Sequence, residues 1–209
     1  MEADATPASV GVGPWNGPWP TDVRFDPDLL REGDRRNVAD GYRYWTVDAI
    51  VADLDTRRHA FHVGIENFAH DFNIGSVVRT ANAFLAQEVH IVGRRRWNRR
   101  GAMVTDRYQH VRHHEDPHEL ARWCAERHLM LIGIDNLPGA APLETAGLPR
   151  DCLLLFGQEG EGLSDASREA CASILSIAQF GSTRSINAGA AAAIAMHAWI
   201  RQHVFDQVP

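Results

Sequence analysis

Three short stretches of this chain hold the residue types that chemistry needs. The first is NFAHDFNIGSVVRTANAF, Asn67 to Phe84. It reads as the end of a buried strand, a turn, and an apolar helix with Arg79 inside it. With Asn73 as N-cap, Ile74, Val77, Val78, Ala81 and Leu85 form a buried stripe. Gly75, Arg79 and Asn82 are spaced by four and three and share a neighbouring face. A helical Gly costs about 1 kcal/mol against Ala, so Gly75 points to close approach by another segment or a ligand. Arg79 either snorkels to solvent, pairs with a carboxylate, or meets an anion at the carboxyl end of the strand, where α/β sheets bind ligands.

The second stretch is LLLFGQEGEGLS, Leu153 to Ser164. A buried strand breaks into Gly157, Gly160 and Gly162, then a helix capped by Ser164. Such glycines let main-chain groups approach a ligand directly, with Glu159 among them as a contact or a loop charge. The Gly-x-x-Gly-x-Gly order is wrong for a dinucleotide fingerprint and comes late in the chain. Glu159 with Glu161 does not make a convincing glycosidase pair, because two acids in one Gly-rich loop are commonplace. The third stretch, Ser173 to Gln202, reads as a strand, a Gly/Ser-rich loop, and a helix starting near Asn187. That helix opens with the small residues Ala188 to Ala193 and is apolar nearly all round, which predicts a buried helix.

The elements that must position these stretches alternate. From His59 onward the pattern is strand (HAFHVGIENF), helix, strand (EVHIVG), a basic segment, helix (PHELARWCAERH), strand (LMLIGID), a Pro/Gly-rich connection, strand (DCLLLFG), helix (SDASREACA), strand (SILSIAQF) and a long final helix. This predicts an α/β domain, a mostly parallel sheet with helices on both faces. Before it, residues 1–58 form an extension. Its first twenty residues, acidic and rich in Gly and Pro, read as a mobile tail without the pattern of a signal peptide. The segment TVDAIVADLDTRR reads as a helix capped by Thr46, with Val47, Ile50, Val51 and Leu54 on one face. The domain boundaries expected are 1–58 and 59–209.

The 209 residues, 44% hydrophobic, suffice for one core, and no apolar run is long enough to span a membrane. All 21 basic residues are Arg, so phosphate-loop and Schiff-base lysines are excluded. The net charge is −6, yet residues 94–114 hold seven Arg and one Asp, which is +6 and leaves −12 on the rest. A concentrated basic segment on an acidic body is a docking patch. His110, His113 and His114 sit within it but lack a second cluster that would suggest zinc, and extra phosphate contact is expected of them. Cys124, Cys152 and Cys171 are odd in number and far apart, and read as free buried thiols in a reducing cytoplasm.

In this order and spacing the three stretches resemble the SPOUT superfamily, specifically the SpoU/TrmH-type RNA 2'-O-ribose methyltransferases. The first motif is matched by Asn73, Gly75 and Arg79, with Asn67 preceding. The second is matched by Gly157, Glu159 and Gly162. The third reads Ile177, Ala178, Gln179, Phe180 and Gly181, then Ser185, Ile186, Asn187, Ala188 and Gly189. Ala178 stands where the family has Pro, Ile186 where it has Leu, and Ala188-Gly189 where it has Val-Ser. The likeness covers about residues 59 to 205.

The resemblance implies a C-terminal deep trefoil knot and a pocket for S-adenosyl-L-methionine. It implies Leu155, Phe156, Gly157, Ile177, Gln179 and Ile186 as cofactor-binding, and Arg79, Asn73, Glu159, Ser185 and Asn187 as catalytic. It also implies a homodimer, no metal, and an RNA substrate, with tRNA favoured over rRNA from the look of the loops. In this reading Arg79 binds phosphate and steadies the developing oxyanion. A guanidinium with pKa above about 12 is a poor general base, so the proton leaves to a phosphate oxygen or water. Arg94, Arg95, Arg96, Trp97, Arg99 and Arg100 are the expected RNA-binding residues, with Trp97 stacking on an unpaired base. The rival readings are an RNA-binding homologue without turnover and a different nucleotide-using α/β enzyme.

Overall fold

The computed structural model describes residues 11–69 and 73–207. The chain divides into two compact units, the first ending at Thr56 and the second beginning at Arg57.

In the first unit, α1 (Pro27–Glu32) and α2 (Val47–Asp55) are each capped by a side chain, Asp26 and Thr46 respectively. The cap expected at Thr46 is present: its hydroxyl accepts from the Ala49 amide, and Ile50 and Leu54 are buried. Asp34 is the polar centre. Burial raises its pKa, but Arg36 and the Tyr44 and Arg36 amides outweigh burial and hold it down to about 2. Of the expected mobile tail, residues 1–10 lie outside the described residues, and residues 11–20 are folded. Val12 pairs with Asp34, and the Trp15 ring packs edge-on against Phe25 and Tyr44. An aromatic side chain amid Gly and Pro gives this stretch an anchor that composition alone hides.

The second unit is built on a seven-stranded sheet. Its elements in chain order are β1 (His62–Asn67), α3 (Ile74–Ala83), β2 (Val89–Gly93), β3 (Val111–His114), α4 (Pro117–Glu126), β4 (Met130–Ile134), β5 (Ala141–Pro142), β6 (Cys152–Phe156), α5 (Asp165–Ala170), β7 (Ser173–Ser176) and α6 (Ala188–His203). The strand order is β3-β2-β1-β6-β4-β7-β5, and each pairing is parallel. The expected parallel α/β sheet is therefore present. β6 lies between β1 and β4, so a late strand is inserted inside the order set by early ones, an arrangement compatible with a threaded C-terminal part.

Successive side chains of a strand point to opposite faces, so the sheet has two cores. On one face Val63, Ile65, Leu154 and Phe156 pack with α3 and α6 around Ile74, Val77, Met196 and Trp199. On the other Leu153 and Leu155 pack with Leu120, Cys124 and Leu163. Burial pushes the thiols of Cys124, Cys152 and Cys171 up to about 12, which keeps them protonated; Cys171 is half-buried.

In this unit β3, β5 and α6 differ from the sequence reading; the two-residue β5 falls in what reads as a Pro/Gly-rich connection. β3 arises within the basic segment, where charged residues on an outermost strand mask the alternation. And α6 is not buried all round: Ala190, Ile194, His197 and Arg201 are exposed, at spacings of four, three and four. Small side chains made every face of α6 look equally apolar in sequence.

The second core contains a line of three buried imidazoles on neighbouring strands. His62 Nδ1 lies 2.9 Å from His90 Nε2, and His90 Nδ1 lies 2.9 Å from His114 Nε2. The Trp123 ring of α4 covers them, 4.4 Å from the His90 ring between centroids. Burial lowers all three pKa values, that of His62 to about 4. His114 is thus spent on packing and offers no phosphate contact, contrary to the sequence reading. The unfolded chain takes up protons as the pH falls below about 6.5, while the folded chain keeps these rings neutral. Their stabilisation is therefore complete above about pH 6.5 and is lost as the pH falls towards 4, on the order of 3 kcal/mol for His62 alone. The urea midpoint should fall between pH 7 and 5, and His90→Gln should flatten that slope; a midpoint constant across this range in the unsubstituted protein contradicts the prediction.

Candidate active site

The three chemistry-bearing stretches meet at the carboxyl end of the sheet. A cleft of 440 Å³ opens there between the loop after β6, the chain after β7, and the N-terminus of α6. Phe156, Gly157, Ile177, Gln179 and Ile186 line it, as do Glu159, Ser185 and Asn187. Leu155 does not. Its neighbour Phe156 faces the cleft, so the two-residue alternation turns Leu155 into the opposite core, where it is fully buried.

The loop after β6 has one tight geometry. Gln158 and Gly162 exchange both backbone hydrogen bonds at 3.1 Å. A Cβ on Gly157 would lie 2.0 Å from the Gly162 carbonyl carbon, and Gly162 has φ +72°. Neither position accepts a side chain without rearrangement. Gln158 turns back to β1, where its Oε1 accepts from the Phe68 amide at 3.0 Å and from the Ala69 amide.

Asn73, Glu159 and Asn187 join the three stretches directly. Asn187 Nδ2 donates to Asn73 Oδ1 (2.8 Å) and to Glu159 Oε1 (3.4 Å), while Asn73 Nδ2 donates to Glu159 Oε2 (3.2 Å). Asn187 also caps α6 as expected, its Oδ1 accepting from the Ala190 amide. Asn73 occupies the N-cap position of α3 but makes no side-chain cap bond; its amide is turned across to the other two residues. Glu159 is thus a tie between loops.

Arg79 stands apart from the cleft. It is exposed on α3 and forms no side-chain hydrogen bond or ion pair among the described residues. It lies one turn beyond Gly75, on the side of α3 that faces the basic segment. At Gly75 the close approach read from the sequence is real: a Cβ there would meet the Ala102 nitrogen at 2.6 Å and the Gly101 backbone at 2.7 Å. The basic segment is fixed at its start as well. Asn67 Nδ2 donates to the carbonyls of Arg94 (2.6 Å) and Arg96 (3.0 Å), and Arg94 N donates to Asn67 O. Arg94, Arg95, Arg96, Arg99 and Arg100 are exposed; Trp97 is half-buried against the first core, with Arg99 over its ring at 5.6 Å.

Sequence reasoning missed the residues that hold the loops from behind. Asp135, just after β4, accepts from the Leu163 amide (3.0 Å), and Asn136 Nδ2 donates to Arg184 O (2.8 Å). One strand end thus fastens two of the three loops. Glu66 of β1 is fully buried, and its carboxyl group accepts from Ser164 N (2.9 Å), Ser164 Oγ (2.5 Å) and Ser167 Oγ (2.7 Å) at the start of α5. The available signal was an acid inside a strand that is otherwise apolar, and an Asp-Asn pair at the carboxyl end of another.

Comparison with known proteins gives a consistent result. A family model described as the SpoU rRNA Methylase family matches residues 60–197. A protein of Mycobacterium ulcerans named an uncharacterized tRNA/rRNA methyltransferase is 30% identical over 170 residues, covering 74% of this chain and 51% of its own length. The chain therefore spans about half the length of the curated relatives it matches. The SpoU methyltransferase AviRb from Streptomyces viridochromogenes, solved in complex with the cofactor AdoMet, matches with a TM-score of 0.64 at 27% identity, over 73% of this chain and 61% of that one. The TrmH/SpoU tRNA modifying enzyme of A. aeolicus shares the fold, with a TM-score of 0.68 at 16% identity over 77% and 83% of the two chains.

Glu66 offers a direct test of how the cleft is supported. Glu66→Ala removes the acceptor of the buried Ser167 hydroxyl and of the part-buried Ser164 hydroxyl and amide, so it should lower the unfolding free energy by about 2 kcal/mol in denaturant titration. A loss below about 0.5 kcal/mol would show that these bonds do not hold α5 to the sheet.

Proposed function

The chain belongs to the SpoU methylase family, and we propose that it transfers the methyl group of S-adenosyl-L-methionine to a ribose 2'-hydroxyl of RNA. The observation that carries this reading is the convergence of Gly157, Ile177 and Ile186 on one cleft, closed by the Asn73–Glu159–Asn187 joint. Residues 59–209 are the proposed methyltransferase domain, and residues 1–58 its extension.

The residues present fit the cofactor. Its size suits the cleft, since small-molecule sites run to several hundred Å³. Phe156, Ile177 and Ile186 supply apolar wall, and the Gly157–Gly162 loop supplies main-chain groups. Gln179 Oε1 is a buried acceptor without a partner among the described residues, ready to receive an N–H of a ligand. When bound, S-adenosyl-L-methionine supplies a methyl group already activated on sulfur. What the chain must add is alignment and control of charge. Asn73, Glu159, Ser185 and Asn187 hold the ribose edge of the cleft, and Arg79 takes an RNA phosphate and steadies the negative charge that develops on the 2'-oxygen. The hydroxyl proton leaves to a phosphate oxygen or to water.

Arg94, Arg95, Arg96, Trp97, Arg99 and Arg100 form the proposed RNA contact. Trp97 is half-buried, so it offers one part of its ring rather than a free platform. We take tRNA as the substrate class, on the likeness of the NRRGAM and FGQEGEGLS loops to the tRNA-directed branch; rRNA is the alternative. The chain is proposed to act as a homodimer, with the exposed Ala190, Ile194 and His197 stripe of α6 as the contacting face.

Incubation with methyl-labelled cofactor and unfractionated tRNA or rRNA, followed by nucleoside analysis, should give a 2'-O-methylated nucleoside. Label on a base, or none, would refute the assignment. Arg79→Ala should lower transfer at least 100-fold while cofactor affinity changes less than about threefold, because Arg79 lies outside the cofactor cleft. Equal transfer by the variant removes Arg79 from the mechanism. Reversing Arg94, Arg96 and Arg100 to Glu should weaken RNA binding and flatten its dependence on salt; unchanged affinity would exclude the basic segment as the contact.

A further inference from the structure

A second cleft, of 240 Å³, opens between the basic segment and the outermost strand β3. Ile91 of β2 and His113 of β3 are in register, so their side chains share a face of the sheet, and Val111 joins them by alternation. That face is the one covered by α3 and α6 further in. At β3 the sheet ends, and the chain from Arg95 to Asp106 lies over its edge instead.

The groups lining this cleft suit one nucleotide. Ile91 is buried, so the apolar part of this mainly polar cleft is the exposed Val111 and the uncovered part of the half-buried Trp97, against which one side of a base can rest. His113 Nε2 donates to Gly93 O at 2.6 Å, since a carbonyl only accepts, which leaves Nδ1 as the ring's other polar atom. The charges are nearly spent internally: Arg99 lies 3.4 Å from Asp106, and Arg112 pairs with Glu88 at 3.0 Å on the other face. Arg95 has no side-chain partner among the described residues. One free guanidinium matches the single negative charge of a phosphodiester better than the double charge of a terminal phosphate.

The two clefts are joined by a short chain of bonds. Gln158 lines the first cleft and accepts from the Phe68 and Ala69 amides; the adjacent Asn67 holds the carbonyls of Arg94 and Arg96, next to the second. We propose that the second cleft is a subsite for a nucleotide of the same RNA strand that presents its ribose to the first, with the base against Val111 and Trp97 and its phosphodiester on Arg95. This rests on RNA being the substrate. It adds Val111 and His113, on the sheet edge, to the determinants of which RNA is chosen.

The test uses the full chain and unfractionated tRNA. Ultraviolet crosslinking, digestion and mass spectrometry should find a nucleotide attached to the peptide containing Trp97 or the one containing His113. Arg95→Glu and Val111→Asp should each weaken equilibrium tRNA binding about tenfold. Absence of such a crosslink, together with unchanged affinity in both variants, overturns the subsite. Methyl transfer by the unsubstituted protein is read separately. Transfer without the crosslink or the affinity loss sinks the subsite alone, whereas crosslink and affinity loss without transfer sustain the subsite and sink the enzymatic reading.

Discussion

The candidate site depends on one small polar joint. Asn73, Glu159 and Asn187 come from segments separated by 86 and 28 positions in the chain, and two amides and a carboxylate bring them within hydrogen-bond distance. Each belongs to a different element: the start of α3, the loop after β6, and the cap of α6. None could hold the others if the backbone beneath it were soft. Asp135 and Asn136 stiffen two of these loops from β4, and Glu66 fixes the start of α5 from β1. The sheet contributes the rest, because parallel strands deliver every carboxyl end to one edge.

The fold was legible where side chains obey a period. Alternating short apolar runs and helical stripes gave the strands, the order of elements, and the caps at Thr46, Ser164 and Asn187. It was illegible where a side chain serves something distant. Asn73 has the type and place of a cap but spends its amide across the site. Leu155 sits beside two cleft residues in sequence and faces the other way in space. Residues 11–20 have the composition of a tail yet are fixed in place, by the Val12–Asp34 bridge and by the half-buried Trp15 ring against Phe25 and Tyr44. β3 was hidden because an outermost strand need not alternate cleanly.

Of the site itself, Gly157, Glu159, Ile177, Gln179, Ser185, Ile186 and Asn187 were found by motif and share the cleft. Gln158, Asp135 and Glu66 escaped because support from behind has no spacing rule. Each is set by what faces it across the sheet, and that is knowledge of topology. The charge pattern was legible in outline, a basic run on an acidic body. Its placement beside α3, and its tether to Asn67, were not.

The contact between Gly75 and Gly101 has a mechanical consequence. Two glycines back to back leave no compressible side chain between helix α3 and the arginine-rich segment. A side chain at either position would push the basic segment off the helix that Asn73 begins, so the seating of that segment and the placing of Asn73 rest on one backbone contact.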